Sequence, residues 1–271
     1  MTIQLIAMDV DGTLADSKKR VGARTVRAIE EAAQRDIQLA VCTGRSTREI
    51  REIAERLPWV HYGITANGAY LVDLRKQKII DKQLLSIEDI RSIYGCLKGF
   101  DMMFELYTED KVLAPAQCLK DLDHYGVGNL KELVKSSRTG IEDFDNLLYT
   151  RTEGAGKINI FFTSPKQRDQ AAERARVLPY YMTHQEATNL EFTKKGATKG
   201  RGLQHLAKML QIELQNVMAI GDNNNDIPML EYAGLPVAMG NGLDSLKEIA
   251  AFVTKTNDED GVGYAIEQLA L

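Results

Sequence analysis

The sequence has 271 residues, 44% hydrophobic and 27% charged, with a formal net charge of −4. That supplies core for one large domain or two smaller ones, and the acidic balance argues against nucleic acid, whose binders usually carry a basic face. Three cysteines without a CxxC pair (Cys42, Cys96 and Cys118) read as reduced cytosolic thiols, and no apolar run is long enough for a membrane span or shaped like a secretion signal.

Ile3 to Met8 is an apolar run of strand type, and Asp9-Val10-Asp11-Gly12-Thr13-Leu14 follows at its carboxyl end. Gly12 allows a sharp turn. Two carboxylates at such a strand end can converge on a hard cation such as Mg²⁺ together with a phosphate. A solvated acidic turn is the other reading, since Asp and Gly are ordinary turn residues. The neighbouring basic cluster Lys18-Lys19-Arg20, like Lys194-Lys195, reads as a solvated face.

Ala23 to Arg35 has helical spacing, with Val26, Ile29, Ala32 and Ala33 on one face. Ile37 to Cys42 is a second strand, ending in Thr43-Gly44-Arg45, and Arg48 to Leu57 is a helix stopped by Pro58. His61 to Thr65 is a third strand, and Asn67-Gly68 signals a hairpin into strands at Ala69 to Val72 and Lys78 to Asp81. Strand and helix alternate, which predicts a parallel sheet with helices on its faces.

From Leu84 to Thr188 the rhythm breaks. Helices at Ile87–Leu97, Leu130–Val134 and Lys166–Arg176 mix with strands at Met102–Tyr107 and Lys157–Thr163, as in an inserted α+β domain with a mainly antiparallel sheet. Alternation then resumes: helix Thr198–Leu210, strand Val217–Ile220, helix Ile227–Ala233, strand Leu235–Met239, helix Leu243–Ala250, strand Phe252–Thr254 and helix Val262–Leu269. The predicted fold is α/β, a Rossmann-like doubly wound parallel sheet over residues 1–83 and 191–271, with an inserted α+β cap over 84–190.

Polar groups fall at three strand exits and one helix start: Asp9 and Asp11, Thr43-Gly44, Lys199-Gly200, and Asp222 through Asp226. A parallel sheet brings its strand exits to one edge, so these groups can meet. The inventory suits phosphoryl transfer. Asp9 can act as a carboxylate nucleophile, Asp222 adds negative charge for a metal, and Lys199 and the Thr43 hydroxyl can hold phosphate oxygens. Asp226 can cap the following helix. No Gly-x-Ser-x-Gly, Walker loop or Gly-x-Gly-x-x-Gly pattern supports another hydrolase or nucleotide reading. Cys42 and Trp59 read as packing residues.

These stretches resemble the haloacid dehalogenase superfamily of aspartate-dependent phosphatases, and within it the Cof-type sugar-phosphatase branch. The likeness rests on Asp9 to Leu14, Thr43-Gly44-Arg45, Asn67-Gly68-Ala69, Lys199-Gly200 and Gly221 to Leu230, with Val237 to Asn241 and Asp260-Gly261-Val262 in support. Gly242 departs from the Ala common after Gly-Asn. The resemblance implies Asp9 as nucleophile and Mg²⁺ ligand. It implies Asp11 as general acid and base, ligating through its backbone carbonyl, and Asp222 as the third ligand. Val10, Thr43, Gly44, Lys199 and Asn225 would hold the phosphate, and Asp226 would support the metal from behind or simply cap its helix. The implied activity is Mg²⁺-dependent hydrolysis of small phosphorylated metabolites, sugar phosphates foremost, through an aspartyl-phosphate. A phosphosugar mutase and a phosphorylation-dependent signalling receiver are the alternatives. The cap would exclude water and choose the substrate. Lys157, Arg151 and Glu191 are its candidate contacts, each also readable as a structural charge.

Overall fold

In chain order the elements of the computed structural model, which describes residues 2–271, begin with β1 (Leu5–Met8), α1 (Ala23–Gln34), β2 (Gln38–Cys42), α2 (Arg51–Arg56), β3 (Tyr62–Thr65), β4 (Tyr70–Asp73) and β5 (Lys78–Lys82). Then come α3 (Ile87–Leu97), β6 (Met102–Tyr107), β7 (Val112–Pro115), α4 (Lys131–Ser137), β8 (Arg138–Ile141), α5 (Phe144–Thr150), β9 (Lys157–Phe162), α6 (Pro165–Ala175), β10 (Tyr181–Thr183) and β11 (Asn189–Thr193). The chain closes with α7 (Lys199–Met209), β12 (Val217–Gly221), α8 (Ile227–Tyr232), β13 (Leu235–Ala238), α9 (Asp244–Ile249), β14 (Phe252–Val253) and α10 (Gly261–Leu269). It divides into two compact units. One takes in the chain up to Arg45, Ile50–Asp81 and Thr198–Leu271; the other takes in Ser46–Glu49 and Lys82–Ala197.

The first unit is built on a sheet in the order β14-β13-β12-β1-β2-β3-β4-β5. Pairing is parallel from β14 to β3 and turns antiparallel at β3–β4. Every residue of β1 is buried, as expected of a central strand covered on both faces. Alternation then sorts its side chains. Ile6 and Met8 pack with Ala28, Ile29 and Ala32 of α1 and Val262, Ala265 and Ile266 of α10. Leu5 and Ala7 pack with Leu203, Leu206 and Ala207 of α7 and Met229 and Leu230 of α8. The result is the doubly wound α/β layering that the alternation of elements predicts.

The second unit holds a sheet in the order β10-β11-β9-β6-β7-β8, antiparallel except for β7–β8. One face is apolar: Phe104, Leu106, Ile158, Ile160, Phe162, Leu190 and Phe192 meet residues of α3, α5 and α6. The opposite face carries Glu105, Lys157, Asn159, Asn189 and Glu191, all buried. Helix α3 starts on a capping box in which Ser86 accepts from Asp89 N at 3.1 Å and Asp89 accepts from Ser86 N at 2.8 Å.

Several expectations need correction. Four strands of the second unit (β7, β8, β10 and β11) and helix α5 carry no clear period in the sequence, because they are short or have polar residues on the buried face. Since β11 runs to Thr193 in the second sheet, residues 191–193 do not belong to the parallel-sheet core. The helix expected from Arg48 begins only at Arg51. Upstream of it, Glu49 turns back to accept from Ser46 N at 2.7 Å and pairs with Arg138. Among the described residues no helix is long and apolar enough to cross a membrane.

Candidate active site

Asp9 follows directly on β1, and its N–H continues the parallel pairing by donating to Ile220 O at 3.0 Å. The carboxylate of Asp9 is thus set at the tip of the central strand, and it is buried. The chain turns at Gly12, whose φ of +85° is a left-handed conformation that costs other residues energy. A Cβ there would also lie 2.4 Å from Asp222 Oδ2. Asn241 braces the turn from the far end of the chain, donating Nδ2–H to Gly12 O at 2.8 Å.

Lys199 opens α7, whose N-cap Thr198 accepts from Arg201 N at 3.2 Å. Its side chain is wholly buried, and Nζ donates to Asp9 Oδ1 and to Asp226 Oδ1, both at 2.6 Å. Asp222 leaves β12 and accepts from Thr13 Oγ1 at 2.7 Å. One carboxylate oxygen from each of Asp9, Asp222 and Asp226 lies within 4.8 Å of the others. Three carboxylates and one ammonium leave an excess of negative charge, and the donors are hard oxygens. That donor set fits Mg²⁺.

The electrostatics point the same way. Burial first, then repulsion by Asp226 and Asp222, pushes the Asp9 carboxyl well above the usual aspartate range, and Lys199 only partly opposes this. Burial and Asp226 push Asp222 up to about 6. Burial works against the Lys199 ammonium, but Asp226 and Asp9 outweigh it and raise its pKa. Crowded carboxylates of this kind are relieved by a bound cation.

Asp226 meets the capping expectation only in part, closing the capping box of the 3-10 turn Asn224–Asp226 that leads into α8. It stands at the N-cap position of α8 but makes no side-chain bond to that helix. Its Oδ1 is taken by Lys199, and its Oδ2 accepts from the N–H groups of Asp222 and Asn223, both at 3.0 Å. It therefore ties the loop carrying Asp222 to the ammonium that meets Asp9.

The remaining candidates lie around this group in two ways. Thr43 is buried; its hydroxyl accepts from Arg45 N at 3.1 Å and its carbonyl from Asn67 N at 3.0 Å. Gly44 and Val10 are buried beside it in sequence and after Asp9. Asn225 is buried, donates Nδ2–H to Asn67 Oδ1 at 3.1 Å, and leaves its own Oδ1 without a partner. Asp11 stands apart from the carboxylate group. Arg45 grips it through two bonds of 2.7 Å, and Lys19 adds one of 3.0 Å. Lys19 is exposed, as its reading as part of a solvated face expects, and also has a partner at the site. Burial raises the Asp11 pKa, but the hydrogen bonds and charge of Arg45, with help from Lys19, overcome this and hold it well below the usual range.

Sequence reasoning assigned no role to Thr13, Arg45 or Asn67. All three lie inside the motifs singled out, so position in a motif was the available signal. In the second unit, Lys157 and Glu191 pair with each other at 2.5 Å, and Arg151 donates to Glu153 O at 2.8 Å. Cys42 is buried, which pushes its thiol well above the usual value.

Residues 6–266 match the model of the haloacid dehalogenase-like hydrolase family. The chain belongs to that family. It is 31% identical to the 5-amino-6-(5-phospho-D-ribitylamino)uracil phosphatase YwtE of Bacillus subtilis (strain 168), across 98% of each chain. It is also 31% identical to the phosphatase YwpJ of the same organism, across 98% of this chain and 100% of the other. A solved haloacid dehalogenase-like hydrolase from B. subtilis superposes with a TM-score of 0.88 at 29% identity, covering 98% of this chain and 100% of that one. Another, from Bacteroides thetaiotaomicron, gives 0.85 at 26% identity, covering 99% and 100%. Like these haloacid dehalogenase-like relatives, the chain is a phosphoric monoester hydrolase, of the Cof type that its motifs indicate.

Proposed function

We propose that the protein hydrolyses small phosphorylated metabolites, sugar phosphates foremost, in a Mg²⁺-dependent reaction that passes through an aspartyl-phosphate on Asp9. The observation that carries this reading is the meeting of Asp9, Lys199, Asp226 and Asp222 at the tip of the central strand. The name of the YwtE relative, a phosphatase of a phosphoribityl compound, supports a phosphate ester on a sugar-like chain. Choice among such esters is assigned to the second unit. Three free thiols support a cytosolic setting.

The carboxylates of Asp9 and Asp222 and the backbone carbonyl of Asp11 would hold Mg²⁺, which when bound offsets the charge a phosphate dianion brings to Asp9. Lys199, the Thr43 hydroxyl, the Asn225 side chain and backbone N–H groups at Val10 and Gly44 orient the phosphate oxygens. An Asp9 oxygen attacks phosphorus, and the bond from phosphorus to the ester oxygen breaks. Asp11, which must first take up a proton against the hold of Arg45, gives it to that oxygen as it leaves. Asp11 then takes a proton from water, which attacks the same phosphorus. The bond to Asp9 breaks, and phosphate departs. Acid–base help of this kind is worth roughly 10²–10⁴ in rate.

The test is a phosphate-release screen over sugar phosphates, nucleotides and cofactor phosphates, with Mg²⁺ and with chelator. Release from at least one sugar phosphate is expected, lost with chelator and lost in Asp9→Asn. Acid quenching with radiolabelled substrate should leave label on the wild-type protein that hydroxylamine removes. Metal-independent release, or an Asp9→Asn variant that still turns over, would overturn the reading.

A further inference from the structure

The two acids of Asp9-Val10-Asp11 are held by different cations, and the difference is chemical. Asp9 meets the Lys199 ammonium, a point charge that donates to one of its oxygens. Asp11 meets the Arg45 guanidinium fork to fork, Nε to Oδ2 and Nη2 to Oδ1, both at 2.7 Å. Two parallel bonds define a plane as well as a distance. The Arg45 side chain is only 16% exposed, so the pair is less screened than the contact from Lys19, which is 51% exposed.

Arg45 is itself fixed at both ends of its backbone. Its N–H donates to Thr43 Oγ1 at 3.1 Å, and its carbonyl accepts from Ala66 N at 2.8 Å. Asp11 directly precedes Gly12, whose φ is left-handed. The fork fixes the plane of the Asp11 carboxylate as well as its distance.

We propose that Arg45 is the positioning residue for the acid–base carboxylate, holding Asp11 in the orientation from which it exchanges protons with the leaving oxygen and the attacking water. This rests on the acid–base role given to Asp11 above. Arg45 contributes through Asp11 and not through the phosphate, so its loss should change turnover and spare binding.

The experiment compares the wild type, Asp11→Asn, Arg45→Met and the double variant on the best sugar phosphate from the screen, with inorganic phosphate as competitive inhibitor. Melting temperatures are taken first; where Arg45→Met does not fold, Arg45→Lys keeps the charge and removes the fork. Arg45→Met is expected to lower kcat about 10- to 100-fold, the scale of a misplaced catalytic group, with KM and the phosphate inhibition constant unchanged. In the Asp11→Asn background it should have almost no further effect, because the two residues act as one. A rise in KM together with weaker phosphate inhibition would overturn the proposal, and so would an undiminished loss in the Asp11→Asn background. Both results leave the acid–base reading standing. If Asp11→Asn itself turns over at close to the wild-type rate, that reading falls and the proposal with it.

Discussion

Asp222 is the residue whose environment has the clearest consequence in solution. Burial, then repulsion from Asp226, raises its carboxyl to about 6. The folded protein therefore holds a proton there that the unfolded chain gives up at lower pH. In the metal-free state this group's contribution to stability is present at acid pH and is lost as pH rises through about 6. A cation needs the ionised form, so the linkage runs the other way for binding. Asp9, the other carboxylate proposed to hold the metal, is raised as well, so Mg²⁺ affinity should fall as pH drops, by roughly tenfold per pH unit for each proton displaced. Calorimetric titration of the metal at pH values on both sides of the transition checks this, and an affinity that does not change with pH would contradict it.

The site depends on how closely α7 approaches α8, since Lys199 on the first meets Asp226 just before the second. Gly200 permits the approach: a Cβ there would lie 2.1 Å from Pro228 O and 2.7 Å from the Tyr232 ring. Two effects compete in Gly200→Ala. Helix propensity favours alanine by up to about 1 kcal/mol. Overpacking against a backbone oxygen, which cannot rotate aside, costs about 1–3 kcal/mol. The clash should win, and α7 must shift. Denaturant titration is expected to find the variant less stable, and kcat should fall at least about tenfold, as expected for a displaced catalytic lysine. A variant as stable and active as the wild type would mean that the helices have slack at this contact.

Across the whole molecule, the two units solve the covering of a sheet differently. The parallel sheet of the first has apolar clusters on both faces. The second unit's sheet has one apolar face; on the other, Met103 and Phe161 pack in a small apolar cluster beside a buried polar network, where Arg138 meets Glu105 through Nε at 2.7 Å, also bonds Glu49, and donates to the Tyr107 hydroxyl at 2.7 Å. Asn159 and Asn189 continue the network, each contact at 2.8 Å. Buried ion pairs add little over apolar packing, but breaking one strands its partner. Arg138→Met leaves Glu49 and Glu105 facing each other without their cation. Denaturant unfolding should register a loss of about 3–5 kcal/mol. A loss under about 1 kcal/mol would mean that water reaches the network and screens it, as at surface pairs.

Much of this was legible in the chain itself. The central strand, the helices of the first unit and the four polar stretches stand out because a doubly covered parallel sheet needs continuous apolar strands, and their exits carry the polar residues. The order of those stretches was enough to indicate the family. The second unit was less legible, because strands with polar residues on a buried face lose the alternation that marks a strand. Within the site, residue types alone suggested which groups could do chemistry. Which cation serves which carboxylate was decided only by folding. Lys199 lies 190 residues from Asp9 in sequence, and Arg45 lies 34 from Asp11. Asp226 serves a local and a distant partner at once: one oxygen closes the capping box of the short 3-10 turn Asn224–Asp226, and the other meets the buried ammonium of Lys199, delivered from another helix. Local patterns carry covering and turn chemistry; pairings between distant charges depend on where the backbone brings them.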